Sequence, residues 1–236
     1  MPSFSILILA KEEAENLGLL LPSIHAVATR LGIPFQTIVI LAGSDSSEQV
    51  CRLNGAQALR QEQPGYGNAL RQGFANCTGD YILTIDADLS HPVDYIQHFI
   101  RHAIEADLVI GSRYMPGGCA CMPWLRKVSS RLLNRVFQRI LRLPVHDISS
   151  GFRLYRRKAL QGLKLESRDF NVLVELAIRM LNAGYVIKEI PFQYQPRRQG
   201  SSKARLLRFM LSYLKTLWRM YTLLNQTAEK TCLQRK

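Results

Sequence analysis

The order of apolar runs constrains the fold of this chain more than any other feature. Phe4 to Leu9, Phe35 to Leu41, Tyr81 to Ile85 and Leu108 to Ile110 are short and strand-like, and helix-like stretches lie near Glu13 to Arg30, Ser46 to Asn54, Asn68 to Asn76 and Val93 to Glu105. Alternating apolar runs and helical patterns imply strands joined by crossover helices, so the spacing predicts an α/β fold with a mostly parallel sheet and helices on both faces. The second half is less regular. Trp124 to Leu143 reads as a basic helix, Gly151 to Tyr155 and Val186 to Tyr194 as strands, and Asn171 to Asn182 and Ala204 to Leu224 as helices. At 236 residues and 47% hydrophobic content the chain can bury a substantial core, and no stretch reads as a long linker or a repeat.

The run Tyr81-Ile82-Leu83-Thr84-Ile85-Asp86-Ala87-Asp88-Leu89-Ser90-His91-Pro92 ends a strand in two acids flanking one small residue. Side chains alternate along a strand, so Asp86 and Asp88 project the same way at the carboxyl end, where open α/β sheets bind ligands. Hard divalent cations such as Mg²⁺ or Mn²⁺ take one or two carboxylates and complete their shell with substrate phosphates. Asp86, Asp88 and the Ser90 hydroxyl are therefore candidate metal ligands. The competing reading is that Asp88 and Ser90 cap a helix opened by Pro92.

Gly65-Tyr66-Gly67-Asn68-Ala69-Leu70, Gly79 to His91, Asp107 to Tyr114, Asp147-Ile148-Ser149-Ser150-Gly151-Phe152-Arg153 and Gly200-Ser201-Ser202-Lys203 follow one another in the order and spacing of family 2 glycosyltransferases. The chain resembles the dolichyl-phosphate and polyprenyl-phosphate mannose synthases from about Phe4 to Lys203. The resemblance implies a GT-A type fold. Residues 1–203 are expected to form a single glycosyltransferase domain, with a donor half over about 1–115, an acceptor half over about 116–203, and a basic amphipathic helix and tail over 204–236.

The same resemblance distributes roles over the site. Asp88 and Arg113 would serve catalysis; Glu13, Gly65, Gly67, Asp86, Arg153, Arg197 and Lys203 would contact substrate. A guanidinium grips phosphate oxygens bidentately and Lys adds a compact charge, which suits Arg113, Arg153, Arg197 and Lys203 to a diphosphate. Asp147 and Glu175 are candidate general bases for a hydroxyl acceptor. A polyprenyl monophosphate needs no base, because its second pKa of about 6 leaves it mostly ionised at pH 7. Structural pairing with an arginine is the alternative for both acids. One departure stands out: relatives end the second strand in two aspartates, and Leu41-Ala42 occupy that place here, with Asp45 displaced along the loop.

The formal charge of +13 is concentrated toward the end of the chain, where ten Lys or Arg follow from Arg197 against the single acid Glu229. Such a tail suits anionic lipid or a phosphorylated substrate, and no nucleic-acid module accompanies it. In Ala204 to Leu224, Arg205, Arg208, Ser212, Lys215, Thr216 and Arg219 fall on one narrow stripe with aromatic and aliphatic residues around it, a pattern for a helix lying in a membrane interface or packed on the core with one wet edge. Arg131, Arg135 and Arg139 form a second basic stripe. Cys51, Cys77, Cys119, Cys121 and Cys232 are odd in number and lack zinc-site spacing, which fits reduced thiols in a cytosolic compartment. The amino terminus opens directly on a strand, with no room for a signal peptide.

These readings converge on an inverting, metal-dependent hexosyltransferase, cytoplasmic and peripheral at the cytosolic membrane face. The donor expected first is GDP-mannose and second UDP-glucose; the acceptor is a polyprenyl or dolichyl phosphate. A hydroxyl acceptor on a natural product or glycolipid, and a non-catalytic membrane-associated homologue, are the alternatives.

Overall fold

A computed structural model describes residues 2–195, 215–222 and 224. Its centre is a seven-stranded sheet in the order β3-β2-β1-β4-β7-β5-β8. The strands are β1 (Phe4–Lys11), β2 (Phe35–Ala42), β3 (Gln57–Arg60), β4 (Tyr81–Asp86), β5 (Leu108–Ser112), β7 (Arg153–Arg156) and β8 (Ile187–Pro191). β1 pairs in parallel with β2 and β4, β2 with β3, and β5 with β8; β7 runs antiparallel between β4 and β5. The sheet thus continues through both halves of the chain. A small second sheet pairs β6 (Cys119–Ala120) with β9 (Gln193–Tyr194).

Alternation sorts the strand residues into two cores. Ile6 and Ile8 of β1, Val39 of β2, and Leu83 and Ile85 of β4 join one cluster with Leu17, Leu20 and Ile24 of α1 (Ala14–Arg30). Leu7, Ile38, Ile40 and Ile82 enter the other, with Leu70 of α3 (Tyr66–Asn76) and Leu173, Val174 and Ile178 of α7 (Val172–Asn182). A period-two pattern with both phases apolar requires helices above and below, which is the arrangement found. The remaining helices are α2 (Ser47–Leu53), α4 (Ile96–His102), α5 (Trp124–Ile140) and α6 (Arg157–Leu160), with a short 3₁₀ turn at Val93–Tyr95 where a continuous helix from Val93 was expected. β3 and β6 escaped the sequence reading because four- and two-residue strands carry too little periodicity.

The carboxyl-terminal segment behaves differently from its expected stripe. Residues 215–222 are helical; 204–214 lie outside the described residues. Thr216 is buried and accepts a hydrogen bond from Asn171 Nδ2 (2.6 Å), and Arg219 pairs with Glu166 (3.0 Å) and Glu175 (2.9 Å). Two members of the polar stripe therefore face the protein, whereas Trp218 and Tyr221 from the apolar side are exposed. Buried polar partners on α7 and the loop before it decided this orientation, and helical periodicity alone carries no record of them.

Candidate active site

Four strand ends and the connections leaving them converge at one edge of the sheet. Leu9 of β1 pairs with Asp86 of β4, so Lys11, Glu12 and Glu13 flank the loop that carries Asp88 and Ser90. Thr84 pairs with Arg153, which brings the start of β7 beside the end of β4, and Arg113 follows the last residue of β5. Two non-glycine residues here hold positive φ, Glu12 at 56° and Leu89 at 61°. Left-handed backbone costs about 1–3 kcal/mol for such residues and concentrates at functional loops.

Of Asp86 and Asp88, Asp86 is the more open to solvent, with its side chain 33% exposed. A Cβ placed on Gly151 would lie 3.3 Å from Asp86 Oδ1 and 3.1 Å from Tyr66 Oη, a tight fit that would press on both side chains. Asp88 is buried, and its Oδ1 accepts hydrogen bonds from the Ser90 amide (3.1 Å) and the Ser90 hydroxyl. Ser90, expected as a metal ligand, is wholly buried with its hydroxyl directed to Asp88; it supports that carboxylate from within the turn. Asp88 thus organises its own turn, and the 3₁₀ turn that follows Pro92 has no side-chain cap, so the expected capping by Asp88 and Ser90 is not found. Among the described residues no three His, Cys, Asp or Glu side chains converge on a common centre. Two carboxylates on one strand end nevertheless suit a hard cation that takes its other oxygens from phosphates.

His91 was absent from the expected site and proves central to it. The Asp86 amide donates to His91 Nδ1 (3.0 Å), so the neutral ring carries its proton on Nε2, which lies 3.6 Å from Asp86 Oδ2. The ring is buried, stacked on Phe152 at 4.7 Å, and flanked edge-on by Phe192 and Tyr194. Burial lowers the His91 pKa against the opposing pull of Asp86 and Asp88. Its place three residues past the second acid was the available sequence signal.

Arg113 is held from behind. Its Nε donates to Asp147 Oδ2 (2.7 Å), and Nη2 donates to Asp147 Oδ1 (2.8 Å) and Ser149 Oγ (2.9 Å). Ser149 in turn accepts from Asn134 Nδ2 (3.0 Å) on α5. The backbone of His146 and Asp147 is clamped by the Glu189 carboxylate of β8, each amide donating at 2.8 Å. Burial would raise the Asp147 pKa, but the charge and hydrogen bonds of Arg113 outweigh it and hold the carboxyl below its ordinary value. Conversely, burial pulls Arg113 down and Asp147 more than restores it. An anionic carboxylate locked to a cation is a weakened proton acceptor, and this geometry makes Asp147 the group that holds Arg113 in place.

Glu175 has a similar fate. Wholly buried on α7, it accepts from the Glu166 amide (3.1 Å), the Ser167 amide (2.8 Å) and Arg179 Nε (2.8 Å), and it pairs with Arg219. Burial opposes ionisation, and the donors from Ser167, Arg179 and Glu166 overcome it, leaving the carboxyl below its ordinary value. Its role is to join α7, the 166–167 loop and the carboxyl-terminal helix.

Three further expectations are corrected. Arg153 is fully buried: Nε donates to Ser150 O (2.7 Å), Nη1 to Leu173 O (2.8 Å) and Nη2 to Ile148 O (2.5 Å), so its guanidinium staples the 148–150 turn to α7 and meets no phosphate. Gly65 and Gly67 do not face open space either. A Cβ on them would come within 2.4 Å of Arg168 O and 2.3 Å of Ser167 O respectively, and the Gly67 amide donates to Arg168 O (2.7 Å). They are glycine because the first turn of α3 runs against that backbone. Between them Tyr66 stacks on Phe170 at 4.0 Å, a partly exposed aromatic wall beside Asp86.

Glu13 lies at the start of α1, where its carboxylate accepts from Asn16 Nδ2 (2.6 Å). At the end of β2, Leu41 is buried in the first core cluster, and Asp45 does not stand in for an aspartate there. Its carboxylate accepts from the Ala14 amide (3.0 Å) and Ser47 Oγ (2.8 Å), tying the loop to α1. Arg197 and Lys203 lie outside the described residues. The chain approaching them is fixed by the Gln195 amide, which donates to Ser90 O (3.0 Å).

Residues 5–163 match the family model described as glycosyl transferase family 2. The chain belongs to that family. Its sequence is 30% identical to polyprenol monophosphomannose synthase of Mycolicibacterium smegmatis over 84% of this chain and 79% of the relative. It is 32% identical to an uncharacterized glycosyltransferase of Mycobacterium bovis over 77% and 83%. Among solved structures, glucosyl-3-phosphoglycerate synthase from Mycobacterium tuberculosis, crystallised with Mn²⁺, UDP and glucosyl-3-phosphoglycerate, superposes with a TM-score of 0.74 at 20% identity, covering 94% of this chain and 80% of that one. The same enzyme was crystallised with Mg²⁺ and UDP and superposes at 0.72. At such identity the likeness establishes the GT-A fold of this glycosyltransferase. No helix among the described residues is long and apolar enough to cross a membrane.

Proposed function

We propose that this glycosyltransferase moves a hexose from a nucleoside diphosphate sugar to a polyprenyl phosphate at a membrane surface. The observation that carries the acceptor class is the state of the two candidate bases. Asp147 and Glu175 are both buried, ion-paired and held as carboxylates. A hydroxyl acceptor needs a partner to take its proton, whereas a phosphate monoester brings its own negative oxygen. The mycolicibacterial relative, named for a polyprenol monophosphomannose product, supports the same acceptor and favours mannose. GDP-mannose is therefore the first donor and UDP-glucose the second.

In this reading Asp86 and Asp88 hold Mg²⁺ or Mn²⁺, which when bound neutralises charge on the diphosphate. Ser90 fixes Asp88 and His91 fixes Asp86, so the two oxygens are set before substrate arrives. Arg113, aimed by Asp147 and Ser149, presents its charge to phosphate without reorganising. Arg197 and Lys203 complete the cationic set from the segment after β9. The acceptor oxygen attacks the anomeric carbon from the face opposite the diphosphate, giving inversion.

Transfer assays test this directly. GDP-mannose and UDP-glucose would be offered with Mg²⁺ or Mn²⁺ and either a short-chain polyprenyl phosphate or the matching alcohol. Product is expected with the phosphate only. Comparable transfer to the alcohol would transfer the case to the hydroxyl reading, and failure to bind any nucleotide sugar would indicate a non-catalytic homologue.

A further inference from the structure

Helix α5 carries a face that nothing in the described structure covers. Trp124 (73% exposed), Leu125 (63%), Val128 (52%) and Leu132 (61%) lie open to solvent. At 100° per residue, Arg131, Arg135 and Arg139 fall on the same arc of about 120°, interleaved with the apolar residues, and all three are exposed. Asn134 and Phe137, on the other side, are buried. The helix holds five Lys or Arg and no acid.

We infer that this face of α5 is the surface by which the protein docks on an anionic lipid membrane. The inference rests on the lipid-phosphate acceptor proposed above and names the element that meets the lipid. A helix of 17 residues, about 25 Å long, with a Trp and branched aliphatics beside arginines matches what an in-plane interfacial helix requires: apolar side chains in the acyl boundary and cations at the headgroups. A second copy of the chain fits worse, because a two-fold contact on this face would set its arginines against their own equivalents.

The buried side of the helix links that surface to the site. Asn134 donates to Ser149, which accepts from Arg113, and the ring of Tyr114 lies 5.5 Å from Arg131 and 5.2 Å from Arg113. Docking α5 therefore places the cation of the candidate site one hydrogen-bonded residue from the element touching lipid. An acceptor whose phosphate rides at the headgroup level is delivered to that position.

The test uses the full chain carrying Trp218→Phe, so that Trp124 is the sole tryptophan, with vesicles of phosphatidylcholine containing 30 mol% phosphatidylglycerol, about a typical anionic fraction. Trp124 emission is expected to shift to the blue on binding and to be quenched by brominated acyl chains. Leu125→Ser with Leu132→Ser should weaken co-sedimentation at least about tenfold. Replacing Arg131, Arg135 and Arg139 together by Gln should weaken it about 100-fold at low salt. Melting temperatures show that the variants remain folded; the quenching measurement needs no variant in α5.

No vesicle binding by the full chain overturns the inference, as does binding that leaves Trp124 unquenched. Trp124 already shielded from iodide in the absence of lipid also overturns it, showing the face covered by the chain's own remaining segment or by a second copy. Transfer to a water-soluble short-chain polyprenyl phosphate separates the two proposals. If that acceptor is used while vesicles fail, only the docking surface falls; if α5 docks and no phosphate acceptor is used, only the acceptor assignment falls.

Discussion

Asp147→Asn distinguishes a carboxylate that aims a cation from one that takes a proton. The substitution keeps shape and removes charge, leaving Arg113, whose side chain is only 10% exposed, without its counterion. Removing one partner of a buried pair costs about 3–5 kcal/mol, and the retained amide oxygen places this case near about 3 kcal/mol. For a chain of this size each kcal/mol corresponds to about 2–4 °C, so thermal unfolding should fall by about 6–12 °C. Pairing it with Arg113→Met should recover much of the loss, because two neutral side chains leave no buried charge unmet. The pH dependence has a definite sign. Asp147 sits below its ordinary value in the fold, so its stabilisation is complete above about pH 4, the unfolded value, and is lost as pH falls through the folded one. The difference between native and Asp147→Asn melting temperatures should therefore shrink below about pH 4. Turnover should fall through a misplaced Arg113 while the pH-rate profile keeps its shape. A loss of about 10²- to 10⁴-fold with a vanished titration limb and an unchanged melting temperature would refute the positioning role and make Asp147 the base.

Asp86→Asn and Asp88→Asn should each remove most metal-dependent transfer, and isothermal titration with Mn²⁺ and nucleotide would show the weakened binding; full activity in either folded variant counts against the metal assignment. Arg153→Met should destabilise by about 3 kcal/mol, because three buried carbonyls lose a charged donor; Arg153→Lys should rescue little, since one ammonium does not span all three. Chemical denaturation measures both, and a near-neutral Arg153→Met would reopen a role in phosphate binding. Gly67→Ala, with a Cβ forced to 2.3 Å from Ser167 O, should cost about 1–3 kcal/mol and displace the 167–168 backbone; a wild-type melting curve would contradict that packing.

The sequence by itself determined the sheet and the edge at which the site lies. Two-phase apolar strands such as Phe4 to Ile8 can be satisfied only between helices, and an acid pair closing β4 can sit only at the carboxyl end, so local pattern was enough. It also brought Asp86, Asp88, Arg113 and Asp147 forward as chemically interesting. Which of the charged side chains are tied up within the fold was decided by tertiary contacts. Arg153 and Arg113 are indistinguishable as cations in a sequence, yet one is spent on the carbonyls of Ile148, Ser150 and Leu173 while the other is steered by Asp147. Likewise Glu175 reads as a base until Arg179 and Arg219 arrive, the latter from 44 positions further along the chain. His91 gained its role from an amide five residues back and an aromatic box assembled from Phe152, Phe192 and Tyr194. Periodicity and motif spacing record what a residue's neighbours in sequence demand. The protonation, direction and availability of a charged side chain depend on partners that only folding brings near, because desolvation and pairing act over a few ångströms of space.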